Sequence, residues 1–117
     1  LSSIETLLWV ARYNEKKYPF VFNFKTQNEM HNFIEMPLCG GNERTEHPTQ
    51  KPLKLIKYLL EIHSNKGQTV LDPFCGSGTT CVAAKALGRR FIGIDIEQKY
   101  VDIANRRLNN TVTEMFI

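Results

Sequence analysis

The sequence has no apolar run approaching the length of a membrane span, and it opens with no signal peptide. That places the expected chain off the membrane, in the cytoplasm. Cysteine is sparse. Cys39, Cys75 and Cys81 are odd in number and include no Cys-x-x-Cys pair, so neither a disulfide framework nor a zinc site is signalled. Free thiols fit a reducing compartment. His31, His47 and His63 have no partners at metal-ligand spacing, and no metal is expected. Charge of one sign is also missing. Residues 1–66 hold nine Lys/Arg against seven Asp/Glu, and residues 67–117 hold six against five, so no basic run announces a nucleic-acid partner. Finally, the sequence contains no Pro-Pro pair, and its first residue is Leu1 rather than Met, which points to a fragment or a processed product.

What is present is the composition of a soluble folded domain, 42% hydrophobic and 23% charged, in a chain of 117 residues that suffices for one small domain. Residues 6–12 and 18–24 are rich in strand formers, and the polar residues 13–17 between them predict an antiparallel hairpin over the first 24 residues. Residues 25–46 show no clean period and are marked by Gly40-Gly41-Asn42 as a loop region. Beyond Pro52 the pattern changes. Leu53, Ile56, Leu59, Leu60 and His63 recur at helical spacing, with Pro52 suited to the first helical position. Residues 69–71 read as a short buried strand ending at Asp72, and Gly76-Ser-Gly78 turns the chain. Residues 79–87 form an Ala-rich helix capped by Gly88. Phe91-Ile-Gly-Ile-Asp-Ile96 is a second, almost wholly apolar strand, as in parallel sheets. Residues 98–109 form a last helix with Tyr100, Val101, Ala104 and Leu108 on one face. Helix–strand–helix–strand–helix is a compact α/β unit with right-handed crossovers. Trp9 reads as core, His63 as a helix-end residue, and Arg89-Arg90 as a solvated loop.

The stretch Leu71-Asp-Pro-Phe-Cys-Gly-Ser-Gly-Thr-Thr80 carries the chemistry. A strand runs into a glycine-rich turn that opens a helix, and the free N–H groups there favour a carboxylate or a phosphate. A P-loop needs Lys after its last glycine, whereas Thr79 follows Gly78. The dinucleotide fingerprint needs a third glycine where Cys81 stands. Asp72 at the strand end repels phosphate and attracts an ammonium group. Asp95, nineteen residues after Gly76, stands where an acid accepts hydrogen bonds from ribose hydroxyls, and Ile96 is placed to cover an adenine ring. An amino acid joined to an adenosine is S-adenosylmethionine.

The segment Asp72-Pro-Phe-Cys-Gly-Ser-Gly-Thr-Thr80 resembles motif I of the DNA amino-methyltransferases that modify adenine N6 or cytosine N4. His47-Pro-Thr-Gln-Lys-Pro52 resembles their motif X, and Phe91–Ile96 their motif II. The order X, I, II is that of the permuted β-type group, and the 7–24 hairpin resembles the antiparallel pair that closes the family's sheet. The resemblance covers nearly the whole chain. It implies a partial Rossmann-like methyltransferase fold with the cofactor part in residues 47–117. It also implies that Asp72 and the backbone of Phe74, Cys75, Gly76, Ser77 and Gly78 hold the methionine end of S-adenosylmethionine. Thr79 and Thr80 help at the helix start, Thr49 and Lys51 reach the cofactor carboxylate, and Asp95 and Ile96 take the nucleoside.

The family's catalytic Asp/Asn/Ser-Pro-Pro-aromatic motif is absent, so no catalytic residue is assigned. The expectation is a cofactor-binding part, inactive alone, of an enzyme acting on DNA, with adenine favoured over cytosine as target. Residues 25–46 stand in the place of a short target-recognition remnant, with Lys25, Asn28, Asn42 and Arg44 as candidates, or serve as a plain connection. Because strands between the hairpin and residues 69–96 are missing, the sheet needs a second chain or a homo-oligomer to complete it. The alternative readings are a non-catalytic nucleotide-binding or association module, and a small-molecule or RNA methyltransferase. The motif order argues against the latter.

Overall fold

A computed structural model of the chain describes residues 4–11, 20–27, 30, 33–37, 41 and 50–114. Their elements, in order, are α1 (Leu53–His63), β1 (Thr69–Asp72), α2 (Thr79–Ala86), β2 (Arg90–Gly93) and α3 (Gln98–Asn109). The helix–strand–helix–strand–helix expectation is therefore met. Thr49, His31, His47, Cys39, Asn28, Asn42, Arg44 and the hairpin turn at 13–17 lie outside the described residues.

The polypeptide enters α1 at Pro52, which sits one residue outside the helix in an extended conformation (φ −60°, ψ 131°) while its carbonyl accepts the N–H of Ile56. The helix ends at Ser64, whose N–H and hydroxyl both donate to the Leu60 carbonyl. The last carbonyls of α1 are met by Asn23. Its backbone N–H donates to Ile62 at 2.7 Å, and its amide lies 2.9 Å from the Glu61 carbonyl and 3.0 Å from that of Ser64.

β1 and β2 pair in parallel with Leu71 opposite Ile92 and Asp72 opposite Gly93. α2 packs on both strands and lies between α1 and α3. Its alanines make this possible: Ala83 and Ala84 are fully buried, so neighbouring helices approach without side chains intervening. Leu87, Val82, Ile62, Ile103 and Ala104 complete the core.

α2 covers one face of the strand pair, with α1 and α3 packed on α2. The other face holds Leu71, Ile92 and Ile94, each more than half exposed. Among the described residues the sheet has two strands and both outer edges are unpaired.

Three expectations need correction. The strand at 91–96 is shorter, Arg90–Gly93, and the chain bends at Ile96. The hairpin is not among these three: its turn lies outside the described residues, and its described parts, 4–11 and 20–26, carry no strand. A two-stranded hairpin alone is marginal in water. Trp9 packs edge-on to Phe20 at 5.3 Å and stacks on His63 at 5.3 Å, at the end of α1. Trp9 is thus half-exposed rather than core. Arg89 is not solvated. It is buried, and its guanidinium donates to Ser64 Oγ (3.1 Å), the Ser64 carbonyl (2.8 Å) and the Leu87 carbonyl (2.7 Å).

Candidate functional site

The β1–α2 turn is held by hydrogen bonds that continue the strand pairing beyond the strands themselves. Ile94 N–H donates to the Asp72 carbonyl at 2.9 Å, and Cys75 N–H donates to the Ile94 carbonyl at 2.8 Å. This brings the ends of both strands, and hence Asp72 and Asp95, to one place. Both carboxylates act on the Cys75 thiol, whose pKa is raised first by burial and then by the charges of Asp72 and Asp95. The two acids therefore flank a single turn.

Each acid is already oriented by backbone. Asp72 Oδ1 accepts the N–H of Phe74 at 3.1 Å. Asp95 Oδ2 accepts the N–H of Gly76 at 2.9 Å, and its Oδ1 that of Glu97 at 2.9 Å. A carboxylate has about four lone-pair sites, so each retains capacity for a ligand donor.

Glycine is required at Gly78. Its φ is +85°, and a Cβ there would meet the Ala104 Cβ at 2.6 Å and its Cα at 3.1 Å. This left-handed residue lets the chain enter α2 at once. Gly78 has no side chain to cap α2, so the N–H groups of the helix's first turn are not met by a cap at that position. Cys81, the first-turn residue behind the mouth, packs against Gly93 and is pushed up to about 11 by burial, with Cys75 and Asp72 adding to the rise.

The arrangement can take a zwitterion. Asp72 and Asp95 offer acceptors to an ammonium group and to hydroxyls, and the start of α2 offers donors to a carboxylate. The mouth is open to solvent: the side chains of Phe74 and Ile96 are 87% and 97% exposed on its rim. Thr80 is half-buried in the first turn.

Ser77 and Thr79 face inward instead, at 2% and 6% exposure. Their hydroxyls meet Arg107 of α3, at 3.2 and 3.0 Å. Ser77 also donates to Gln50 Oε1 at 3.4 Å, and Gln50 is itself buried. Lys51, expected at the turn, sends its ammonium to Glu5 at 2.6 Å. Among the described residues of the 47–52 segment, Gln50 reaches the turn, and Arg107 joins it from a position in α3 twenty-eight residues beyond Thr79. Gln50 stood within the motif X resemblance but was not singled out there, and Arg107 carried no signal. Arg107 reads as a basic residue suited to a helix C-terminus.

Among the described residues no three His, Cys, Asp or Glu side chains are grouped to hold a metal, and no helix is long and apolar enough to cross a membrane.

The DNA methylase family N6_N4_Mtase matches residues 5–106. Over 114 residues the chain is 43% identical to the Type II methyltransferase M2.DpnII of Streptococcus pneumoniae, covering 91% of this chain and 42% of that protein. It is 42% identical over 117 residues to the Type II methyltransferase M.HinfI of Haemophilus influenzae, covering 89% of this chain and 32% of that one. The chain thus spans less than half the length of these relatives. Among solved structures, an M1.HpyAVI–SAM complex superposes with a TM-score of 0.69 at 47% identity, over 80% of this chain and 46% of that one. The cytosine-N4-specific PvuII DNA methyltransferase, at 20% identity and a TM-score of 0.55, shares the fold alone. Since the matched stretch takes in the glycine-rich turn, both strands and most of α3, this chain belongs to the DNA methylase family.

Proposed function

We propose that the chain is the cofactor-binding part of a site-specific DNA methyltransferase. Its donor is S-adenosylmethionine, and its acceptor an exocyclic amine, adenine N6 ahead of cytosine N4. The observation that carries this reading is the convergence of Asp72 and Asp95 on one turn at the uncapped start of α2. The residues present fit the donor: Asp72 for its ammonium, the first-turn N–H groups of α2 for its carboxylate, and Asp95 for its ribose. Phe74 and Ile96 provide apolar rim beside the adenine. When bound, the cofactor supplies a sulfonium-activated methyl group. The chain's own residues bind and orient, and the base-handling Pro-Pro-aromatic motif is not in the sequence.

Calorimetric titration of the chain with S-adenosylmethionine tests the reading. Binding is expected, weakened about tenfold or more by Asp95→Ala or Asp72→Ala, the loss of one charged hydrogen bond. No binding by the unaltered chain, or binding by both variants as tight as by the unaltered chain, refutes it. With DNA and labelled cofactor the chain alone is expected to transfer no methyl group, and detected transfer removes that claim.

A second reading, an association module, is favoured by the exposed face of Leu71, Ile92 and Ile94 beside unpaired strand edges. The two readings are compatible. The partner is a polypeptide, a second copy or a chain bearing the Pro-Pro-aromatic motif, that covers this face and extends the sheet.

A further inference from the structure

Arg107 lies in the last turn of α3, outside the strand-end acids and the glycine turn that face the ligand. Its Nη1 is 2.9 Å from the Ser77 carbonyl, 3.2 Å from Ser77 Oγ and 3.0 Å from Thr79 Oγ1. One helical turn earlier, Ala104 closes on Gly78, where an added Cβ would stand 2.6 Å away. A single face of α3 therefore grips residues 77, 78 and 79 in succession.

The consequence concerns the peptide plane between Ser77 and Gly78. Its carbonyl is held by Arg107, and its N–H donates to the Cys75 carbonyl at 2.8 Å. With both ends tied, the plane cannot rotate. That matters because the turn passes through positive φ at Gly76 (+52°) and Gly78 (+85°), residues that otherwise lose much conformational freedom on ordering. The bonds are also charge-assisted and shielded, since Ser77 and Thr79 are nearly fully buried.

We propose that Arg107 is a positioning residue for the amino-acid end of the cofactor. It acts through the turn, fixing the direction of the N–H groups that open α2, and it touches no ligand itself. The nucleoside end, served by Asp95 just beyond β2, depends on it less: Asp95 meets the turn only at Gly76 N–H, before the residues that Arg107 grips, and is held independently by Glu97 N–H. This rests on the cofactor reading above and narrows it to a division of labour between two ends of one site.

The test compares two ligands on the full chain. S-Adenosylhomocysteine carries the amino-acid end, and 5′-methylthioadenosine carries only the nucleoside end. Arg107→Met keeps the length of the stem and removes the donor. It is expected to weaken S-adenosylhomocysteine by about tenfold, one charge-assisted hydrogen bond, with less than about a twofold change for 5′-methylthioadenosine. Arg107→Lys, which restores a cationic donor, is expected to recover most of the loss. Should Arg107→Met lose its helical circular-dichroism signal, Thr79→Val carries the same comparison with a smaller selective loss. Equal loss for both ligands, or none, overturns the proposal while leaving the cofactor reading in place. Failure of the unaltered chain to bind either ligand overturns both.

Discussion

At the scale of single residues, the thiol of Cys81 shows how the site's packing couples to pH. It is 3% exposed, lodged against Gly93, and its pKa stands at about 11 against an ordinary 9.0. A thiol that ionises later in the folded chain than in the unfolded one favours folding while it stays protonated. Its contribution is complete below about pH 9 and is lost as pH rises towards 11, since the native state then binds more protons than the unfolded state. The loss is on the order of 2 kcal/mol. Urea midpoints at pH 8 and pH 10.5 are expected to differ more for the unaltered chain than for Cys81→Ala. Equal differences would refute this account. Cys75 shifts in the same direction, with Asp72 and Asp95 among its causes, so neither thiol is a ready nucleophile at neutral pH.

At the scale of elements, Arg89 joins the exit of α2 to the exit of α1. Its guanidinium serves the carbonyls of Ser64 and Leu87 and the Ser64 hydroxyl, and burial lowers its pKa while Glu61 opposes the shift. Arg89→Ala leaves buried carbonyls without donors, and a loss of about 2–3 kcal/mol is expected from thermal or urea unfolding. A loss under about 0.5 kcal/mol, ordinary for a surface site, would show that Arg89 is not a tie. The elements from Leu53 onward were legible because their signals are local: Leu53, Ile56, Leu59 and Leu60 at helical spacing, an apolar run before a glycine turn, Gly88 after an Ala-rich helix. The hairpin rests on propensity alone. Strand formers at 6–12 and 18–24 state a propensity, but a strand needs a neighbour, and the described residues there find the end of α1 instead.

At the scale of the molecule, the strand pair is covered on one face only among the described residues. The Cα radius of gyration is 15.0 Å, against about 13 Å for a compact domain of this length. Leu71, Ile92 and Ile94 remain more than half exposed on paired strands with open edges, which is the condition for recruiting another chain. Sedimentation is expected to show concentration-dependent association, reduced by Leu71→Lys or Ile92→Lys. A monomer at every concentration with a sharp, cooperative melt would count against it.

The sequence by itself determined where the turn, its glycines and its two acids stand. Those features depend on residues adjacent in the chain, and on the return from the second strand that a parallel crossover imposes. The tertiary structure decided which long side chains serve the turn. Lys51 goes to Glu5, while Gln50 and Arg107 go to Ser77, and Arg89 is drawn inside. A flexible side chain takes its partner from whatever element lies beside it, and that neighbour is settled only when α1, α2 and α3 have packed.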